Sequence, residues 1–303
     1  MRLCATTDNQ LPGVVYGVSG GEAIDLAIKV ARAATGRTDI VSAKGCYHGH
    51  TGLALAAGDA EYRDPFGPNP SGFTQVPFND IDAMADAVTR TTAAVMLETV
   101  PATLGMPIPT EGYLPAVRRI CHDNGTKLIL DEVQTGLGRT GKIWGYQHWN
   151  IQPDAIVTGK GLSGGIYPIT ATLMTRELHA LFDSDPFIHI STAGGAEPGC
   201  AAALAVLDQV EAPGFLVRVR ELELRLVEGL TGAPFEIRHL GLMMGLKFPV
   251  EDAGIMAAKL LFDQGIFAVY ANHDTSVLQF LPPLITTDKE AEEIVGIIRS
   301  AFG

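Results

Sequence analysis

DEVQTGLGRTG, residues 131–141, follows directly on a short apolar run, Lys127 to Leu130. Four residues are too few for a helix and have the shape of a buried strand. The run ends at an acid pair, Asp131 and Glu132. Two further runs have the same form. Ala93 to Leu97 ends at Glu98, and Ala155 to Thr158 ends at Gly159 and Lys160. Three apolar strands each hand over to a charged side chain. In an open parallel sheet such strand ends lie side by side, and ligands bind just beyond them. The pattern predicts an α/β fold in which Glu98, Asp131 and Lys160 share one crevice.

Lys160 stands between Gly159 and Gly161. Glycine lets other backbone or a ligand come close. A lone lysine after a strand is ordinarily a solvated surface residue. Here the setting predicts a sheltered amine, with a lowered pKa and able to form a Schiff base. If its partner is pyridoxal phosphate, the site also needs a carboxylate against the pyridine nitrogen and a cradle for the phosphate.

Composition narrows the field. The chain has 303 residues, enough for a large domain and a smaller one. Its net charge of −12 argues against a nucleic-acid partner, which calls for a basic face. No apolar run has the length of a membrane span, and no basic-then-apolar signal opens the chain. Cys4, Cys46, Cys121 and Cys200 are scattered and suggest neither a zinc site nor a disulfide framework, so a cytoplasmic protein is expected.

Along the chain, residues 1–12 read as irregular and 13–18 as a strand. Ser19-Gly20-Gly21 then leads into a helix from Glu22 to Thr35, closed by Gly36. A strand, a glycine turn and a helix N-terminus make an anion site. Residues 39–43 form the next strand and lead into Tyr47, His48 and His50. An aromatic ring there could stack on a flat ligand. A metal reading of His48 and His50 lacks a third ligand at sensible spacing, so no metal site is expected. Residues 59–79 read as a loop. Helices are predicted near 80–90 and 113–124 and a strand at 169–174. Ser191 to Ala196 is a polar glycine turn opening a helix to about Val210. The GLGRTG run, 136–141, fits G-x-G-x-x-G, but no small-residue helix or ribose-binding acid follows, so the dinucleotide reading fails. Gly159-Lys160-Gly161 likewise lacks the rest of a P-loop. Beyond Pro213 the pattern changes. Helices at 215–230, 251–264 and 287–302 and strands near 243–248, 267–270 and 277–281 predict a smaller α+β domain. The expected division is a large domain, 1–212, and a small one, 213–303. Thr287 and Glu290 form a capping box for the last helix.

These motifs together resemble the class III, ornithine/4-aminobutyrate-type family of pyridoxal-phosphate aminotransferases. The resemblance runs from about Val15 to the C-terminus. SGGEA (19–23) looks like the family's phosphate turn and YHG (47–49) like its ring-stacking motif. The stretch 128–141, TGKGLSGG (158–165), STAGG (191–195) and LPPL (281–284) follow its pattern. The resemblance implies fold type I, with a mostly parallel central sheet in the large domain, and pyridoxal 5'-phosphate as cofactor. It implies that Lys160 carries the Schiff base and that Asp131 pairs with the pyridine nitrogen. Gln134 would contact the ring's phenolic oxygen. Val133 would back the ring and Tyr47 stack on it, with His48 and Glu98 among the cofactor-binding residues. Gly20 and Gly21 would bind phosphate through backbone amides. Thr192 would reach the phosphate of the neighbouring subunit in a homodimer. The implied reaction moves an amino group between an amine or amino acid and an oxo acid.

Three positions depart from the family pattern. Gly21 stands where Ser or Thr is usual, Thr103 where a second glutamate is usual, and Gln279 where an arginine precedes the Pro-Pro pair. The family's N-terminal segment is also expected to be missing. Two other readings stay open at this level. One is a different reaction on the same cofactor: decarboxylation, racemisation or phospho-elimination. The other is an inactive, truncated paralogue.

Overall fold

The computed structural model describes residues 2–303. The chain divides into two compact units. The first comprises residues 2–99, Pro109–Leu137 and Tyr146–Gln209. The second comprises Val100–Ile108, Gly138–Gly145 and Val210–Gly303. This corrects the expected division at 212/213. Two short excursions from the first two thirds of the chain belong to the second unit. No propensity marks them, because their place is set by packing. Met106 is buried with Met243, and Val100 and Ala102 join the same cluster.

The first unit opens with a one-turn helix α1 (Arg2–Ala5) and strand β1 (Gly13–Gly17), followed by α2 (Gly20–Thr35) and β2 (Asp39–Ala43). Short helices α3 (Gly52–Ala56) and α4 (Ala60–Arg63) precede β3 (Phe73–Val76). Then come α5 (Ile81–Ala87), β4 (Thr92–Glu98), α6 (Tyr113–Asn124), β5 (Lys127–Asp131) and β6 (Ala155–Thr158). The unit ends with β7 (Thr170–Met174), α7 (Arg176–His179), α8 (Leu181–Ser184) and α9 (Glu197–Val210). The seven strands form one sheet in the order β1-β7-β6-β5-β4-β2-β3. β7 runs antiparallel to both its neighbours, and the other pairings are parallel. The C-terminal ends of β2, β4, β5 and β6 therefore share one edge. β4 and β5 are buried along almost their whole length, as a strand covered on both faces must be.

Local signals explain the helix bounds. The Ser19 side chain accepts from the Glu22 N–H, so α2 begins two residues before the expected Glu22. Gly36 ends it at φ +66° and Gly125 ends α6 at φ +63°, conformations that cost glycine little. The loop expected over 59–79 contains α4 and the edge strand β3. β3 pairs in parallel with β2 from Ile40↔Phe73 to Ala43↔Val76. Its flanking Pro, Gly and Asn residues hide it from a periodicity reading.

The second unit holds an antiparallel sheet in the order β10-β11-β9-β8. Its strands are β8 (Glu236–Leu240), β9 (Met243–Lys247), β10 (Val269–Ala271) and β11 (Asp274–Phe280). Helices α10 (Phe215–Gly229), α11 (Ala253–Phe262) and α12 (Asp288–Phe302) complete it. Leu222, Leu226, Leu246, Leu261, Leu278 and Ile298 make its core. The capping box at Thr287 and Glu290 is present.

Candidate active site

Every expected site residue lies in the first unit, and most are stitched together beyond the strand ends. The phosphate-turn candidate is built of bare backbone. Neither Gly20 nor Gly21 has a partner for its N–H among the described residues, as expected of the first residues of a helix. A methyl built on Gly21 would stand 2.5 Å from Thr51 Oγ1. One built on Gly49, at φ +113°, would stand 2.7 Å from Gly21 Cα. The 47–51 loop is thus pressed onto the turn, and only glycines allow that approach.

Glu98 and Asp131 face each other in the register of β4 and β5. Both are 6% exposed. Asp131 Oδ2 lies 2.9 Å from His48 Nδ1, and Asp131 Oδ1 accepts from the Val133 N–H at 3.0 Å. The acid is therefore fixed at both oxygens. Glu98 Oε2 accepts from the Tyr47 N–H at 3.0 Å. Burial pushes the Glu98 pKa up to about 7, with Asp131 adding to the rise and His48 and Lys160 opposing it. Burial works against a charged His48, but the hydrogen bond and charge of Asp131, helped by Glu98, outweigh it and raise the imidazole pKa. His48 Nε2 is buried with no hydrogen-bond partner among the described residues. The Cys46 thiol is pushed well up, first by burial and then by the nearby Glu98 carboxylate.

Val133 links the turn to the lysine. Its methyls lie 3.9 and 4.0 Å from a Cβ built on Gly20, and one lies 3.6 Å from a Cβ built on Gly159. The Thr170 hydroxyl on β7 donates to Ser19 O at 3.2 Å, tying the same two places together. Lys160 opens a 3₁₀ turn, Lys160–Ser163, at φ +39°. Its side chain is exposed, which corrects the expected shelter. The turn carries the lysine past the last sheet residue, and the glycines on either side have nothing to cover it with. Tyr47 is also exposed, its ring 5.2 Å from that of His50. Gln134 is half-buried beside Val133. Thr192 stands apart, exposed in the turn before α9, and makes no hydrogen bond among the described residues.

Glu132, the other half of the acid pair, does different work. Strand alternation turns it away from Asp131. It is fully buried and accepts from the Thr99 and Thr135 hydroxyls, both at 2.7 Å, and from the Tyr146 N–H at 2.8 Å. Thr51 went unnoticed in the sequence. The missing hydroxyl at Gly21 was its one indirect signal.

Comparison with known proteins identifies the family. Residues 2–302 match the family described as aminotransferase class-III. An uncharacterized aminotransferase of Archaeoglobus fulgidus is 52% identical over 303 residues, covering 97% of this chain and 72% of that protein. An acetylornithine aminotransferase of Caldanaerobacter subterraneus subsp. tengcongensis is 40% identical over 306 residues, covering 96% and 76%. The ornithine aminotransferase of Toxoplasma gondii, solved with partial occupancy of pyridoxal phosphate at its active site, superposes with a TM-score of 0.89 at 26% identity. That match covers 99% of this chain and 75% of the other. A carboxylate pair, a lysine and a bare glycine turn at one sheet edge, in a chain matched over this length, make it a member of the class III aminotransferases, enzymes that use pyridoxal phosphate to transaminate.

Proposed function

We propose that the chain transfers an amino group between an amine or amino acid and an oxo acid, with Lys160 as catalytic amine and Asp131 as the acid facing the cofactor's ring nitrogen. The observation that carries this reading is the buried Asp131–His48 pair beside Glu98 at adjacent strand ends. The residues present fit pyridoxal phosphate. The unbonded amides at Gly20 and Gly21 suit a phosphate. Asp131 is oriented from both sides, and the Lys160 amine is accessible.

When bound, pyridoxal phosphate supplies an aldehyde for that amine and a conjugated ring that spreads the electrons left on the substrate carbon. Lys160 Nζ is the base that takes the proton from the amine-bearing carbon. Asp131 holds a proton at the ring nitrogen, and His48 Nδ1 keeps Asp131 aimed. With the cofactor bound, Val133 would back the ring, Tyr47 would stack on it and Gln134 would contact its phenolic oxygen. Glu98 fixes the Tyr47 backbone. The test is Lys160→Ala. The visible absorption of cofactor joined to its lysine should vanish together with turnover. Turnover near the wild-type rate would contradict the role.

We further infer a cytoplasmic homodimer in which Thr192 completes the neighbouring copy's phosphate site. Phe187, Ile188 and Ile190, just before Thr192, are exposed, as residues awaiting a partner would be. Among the described residues no single helix is long and apolar enough to cross a membrane.

Glutamate and 2-oxoglutarate should be poor substrates. Gln279 replaces the usual arginine, and its Nε2 donates to Tyr270 O at 3.1 Å. Other arginines are engaged elsewhere. Arg139 donates to Leu242 O and Pro282 O, and Arg63 to Ala56 O and Gly58 O. Loss of a charge-assisted bond to the substrate carboxylate should cost roughly 1.5–3 kcal/mol. Loaded enzyme mixed with glutamate, alanine and ω-amines should lose its cofactor band slowest with glutamate. Fast conversion by glutamate, unchanged on altering Gln279, would refute this.

A further inference from the structure

We propose that Thr51 supplies the phosphate turn with the hydroxyl that the family pattern places at position 21. The proposal rests on the reading of Ser19–Gly21 as the cofactor's phosphate site. Gly21 has no side chain, yet the space a side chain would fill is taken. A Cβ built there would meet Thr51 Oγ1 at 2.5 Å, Thr51 Cγ2 at 3.3 Å and Thr51 Cβ at 3.4 Å. The threonine side chain therefore occupies the volume of the missing one, with its hydroxyl nearest.

The arrangement is held from two sides. Gly49, at φ +113°, brings its loop so close that a Cβ there would lie 2.7 Å from Gly21 Cα and 3.0 Å from Gly21 N. A larger residue at 49 would push Thr51 off the turn. On the other side, Thr51 sits at the N-cap position of α3 with extended backbone, φ −99° and ψ 148°. A threonine there normally spends its hydroxyl on the helix's first amides. This one makes no such bond. Asp25, reaching over from α2, takes the duty instead, with its Oδ1 accepting from the Ala54 N–H at 2.7 Å. The Thr51 hydroxyl has no hydrogen-bond partner among the described residues. A hydroxyl that is relieved of capping, lies against a helix N-terminus and sits beside two unbonded amides is placed to donate to a phosphate oxygen. Space-filling alone would explain the contact but not the transfer of the cap to Asp25.

The experiment titrates apo-enzyme with pyridoxal phosphate and, separately, with pyridoxal, which keeps the aldehyde and ring but lacks the phosphate. Thr51→Val keeps the shape and removes the hydroxyl. It should weaken pyridoxal phosphate binding about ten- to a hundredfold and leave pyridoxal binding unchanged. Thr51→Ser should retain affinity within a few fold. Gly21→Ser placed in a Thr51→Ala background should recover most of the loss. Equal pyridoxal phosphate affinity in Thr51→Val and wild type would overturn the proposal, as would an equal loss for both ligands. Wild-type protein that binds pyridoxal phosphate no better than pyridoxal would overturn the phosphate reading itself, and Thr51's role with it.

Discussion

Gly20 and Gly21 open α2, whereas Gly138 and Gly141 lie in an excursion of the second unit, and a side chain would meet different surroundings at each. A Cβ on Gly20 would find nothing nearer than the Val133 methyls at 3.9 Å. A Cβ on Gly138 would lie 3.2 Å from Leu216 Cδ2, and one on Gly141 2.9 Å from Arg220 Cγ. Both later glycines also have positive φ, +91° and +80°. At Gly20 the first turn leaves a backbone face open beside the helix amides, while its neighbour Gly21 is closed off by Thr51. The other lets backbone press against its own unit, where the Arg220 guanidinium donates to Gly141 O. Glycine-rich strings therefore carry two physical meanings, close approach of a ligand or close approach of the protein itself. The element that follows decides between them.

If this contrast holds, changes near the open turn alter chemistry, and changes at the packed turn alter stability. The largest effect should come from Asp131→Asn. Its kcat should fall about a hundredfold or more while cofactor stays bound, because the carboxylate acts mainly as charge develops on the ring. An unchanged kcat with only weaker cofactor binding would break the contrast.

Glu98→Gln should show where a site residue also affects stability. The folded-state pKa of Glu98 is raised from 4.5 to about 7. Folding therefore favours its neutral form. That contribution is whole below pH 4.5 and is lost as pH rises through 7. His48, also raised, acts in the same direction. Glutamine stays neutral throughout. From pH 4.5 to 8 the variant should gain on wild type by on the order of 2–3 kcal/mol in denaturant unfolding. A constant difference between the two would remove burial as the cause.

The smallest effects form a matched pair. Gly141→Ala must hold a Cβ in left-handed backbone and against Arg220, and should lose about 1–2 kcal/mol with cofactor affinity unchanged. Gly20→Ala should change apo-protein stability by no more than about 0.5 kcal/mol and weaken cofactor binding. Thermal melts and cofactor titrations of both variants would show whether the two effects separate.

Much of this was legible in the sequence because strand ends carry charge. The runs before Glu98, Asp131 and Lys160 became β4, β5 and β6, and Gly36 and Gly125 marked helix ends as left-handed caps. What was hidden depends on neighbours. β8 has mostly half-buried residues, and its Glu236, Arg238 and His239 give no apolar run to detect. The partnership of His48 with Asp131 joins residues far apart in the chain, and no local pattern encodes it. Lys160, at φ +39° after β6, is exposed, and no apolar run in the sequence signals that backbone conformation.

The same stretch that organises the fold also divides it, since Leu137 closes one segment of the first unit and Gly138 opens an excursion of the second. This has a consequence for synthesis on the ribosome. Val100–Ile108 and Gly138–Gly145 emerge well before Val210–Gly303, with which they form one compact body. Met106 has no Met243 to bury against until that later strand is made. The sheet of the first unit can close earlier, because its last strand ends at Met174. Val100, Ala102 and Met106 are thus all made before the strand that completes their buried cluster. The second unit is therefore completed only once Val210–Gly303 is made, fastened by segments that have waited longest.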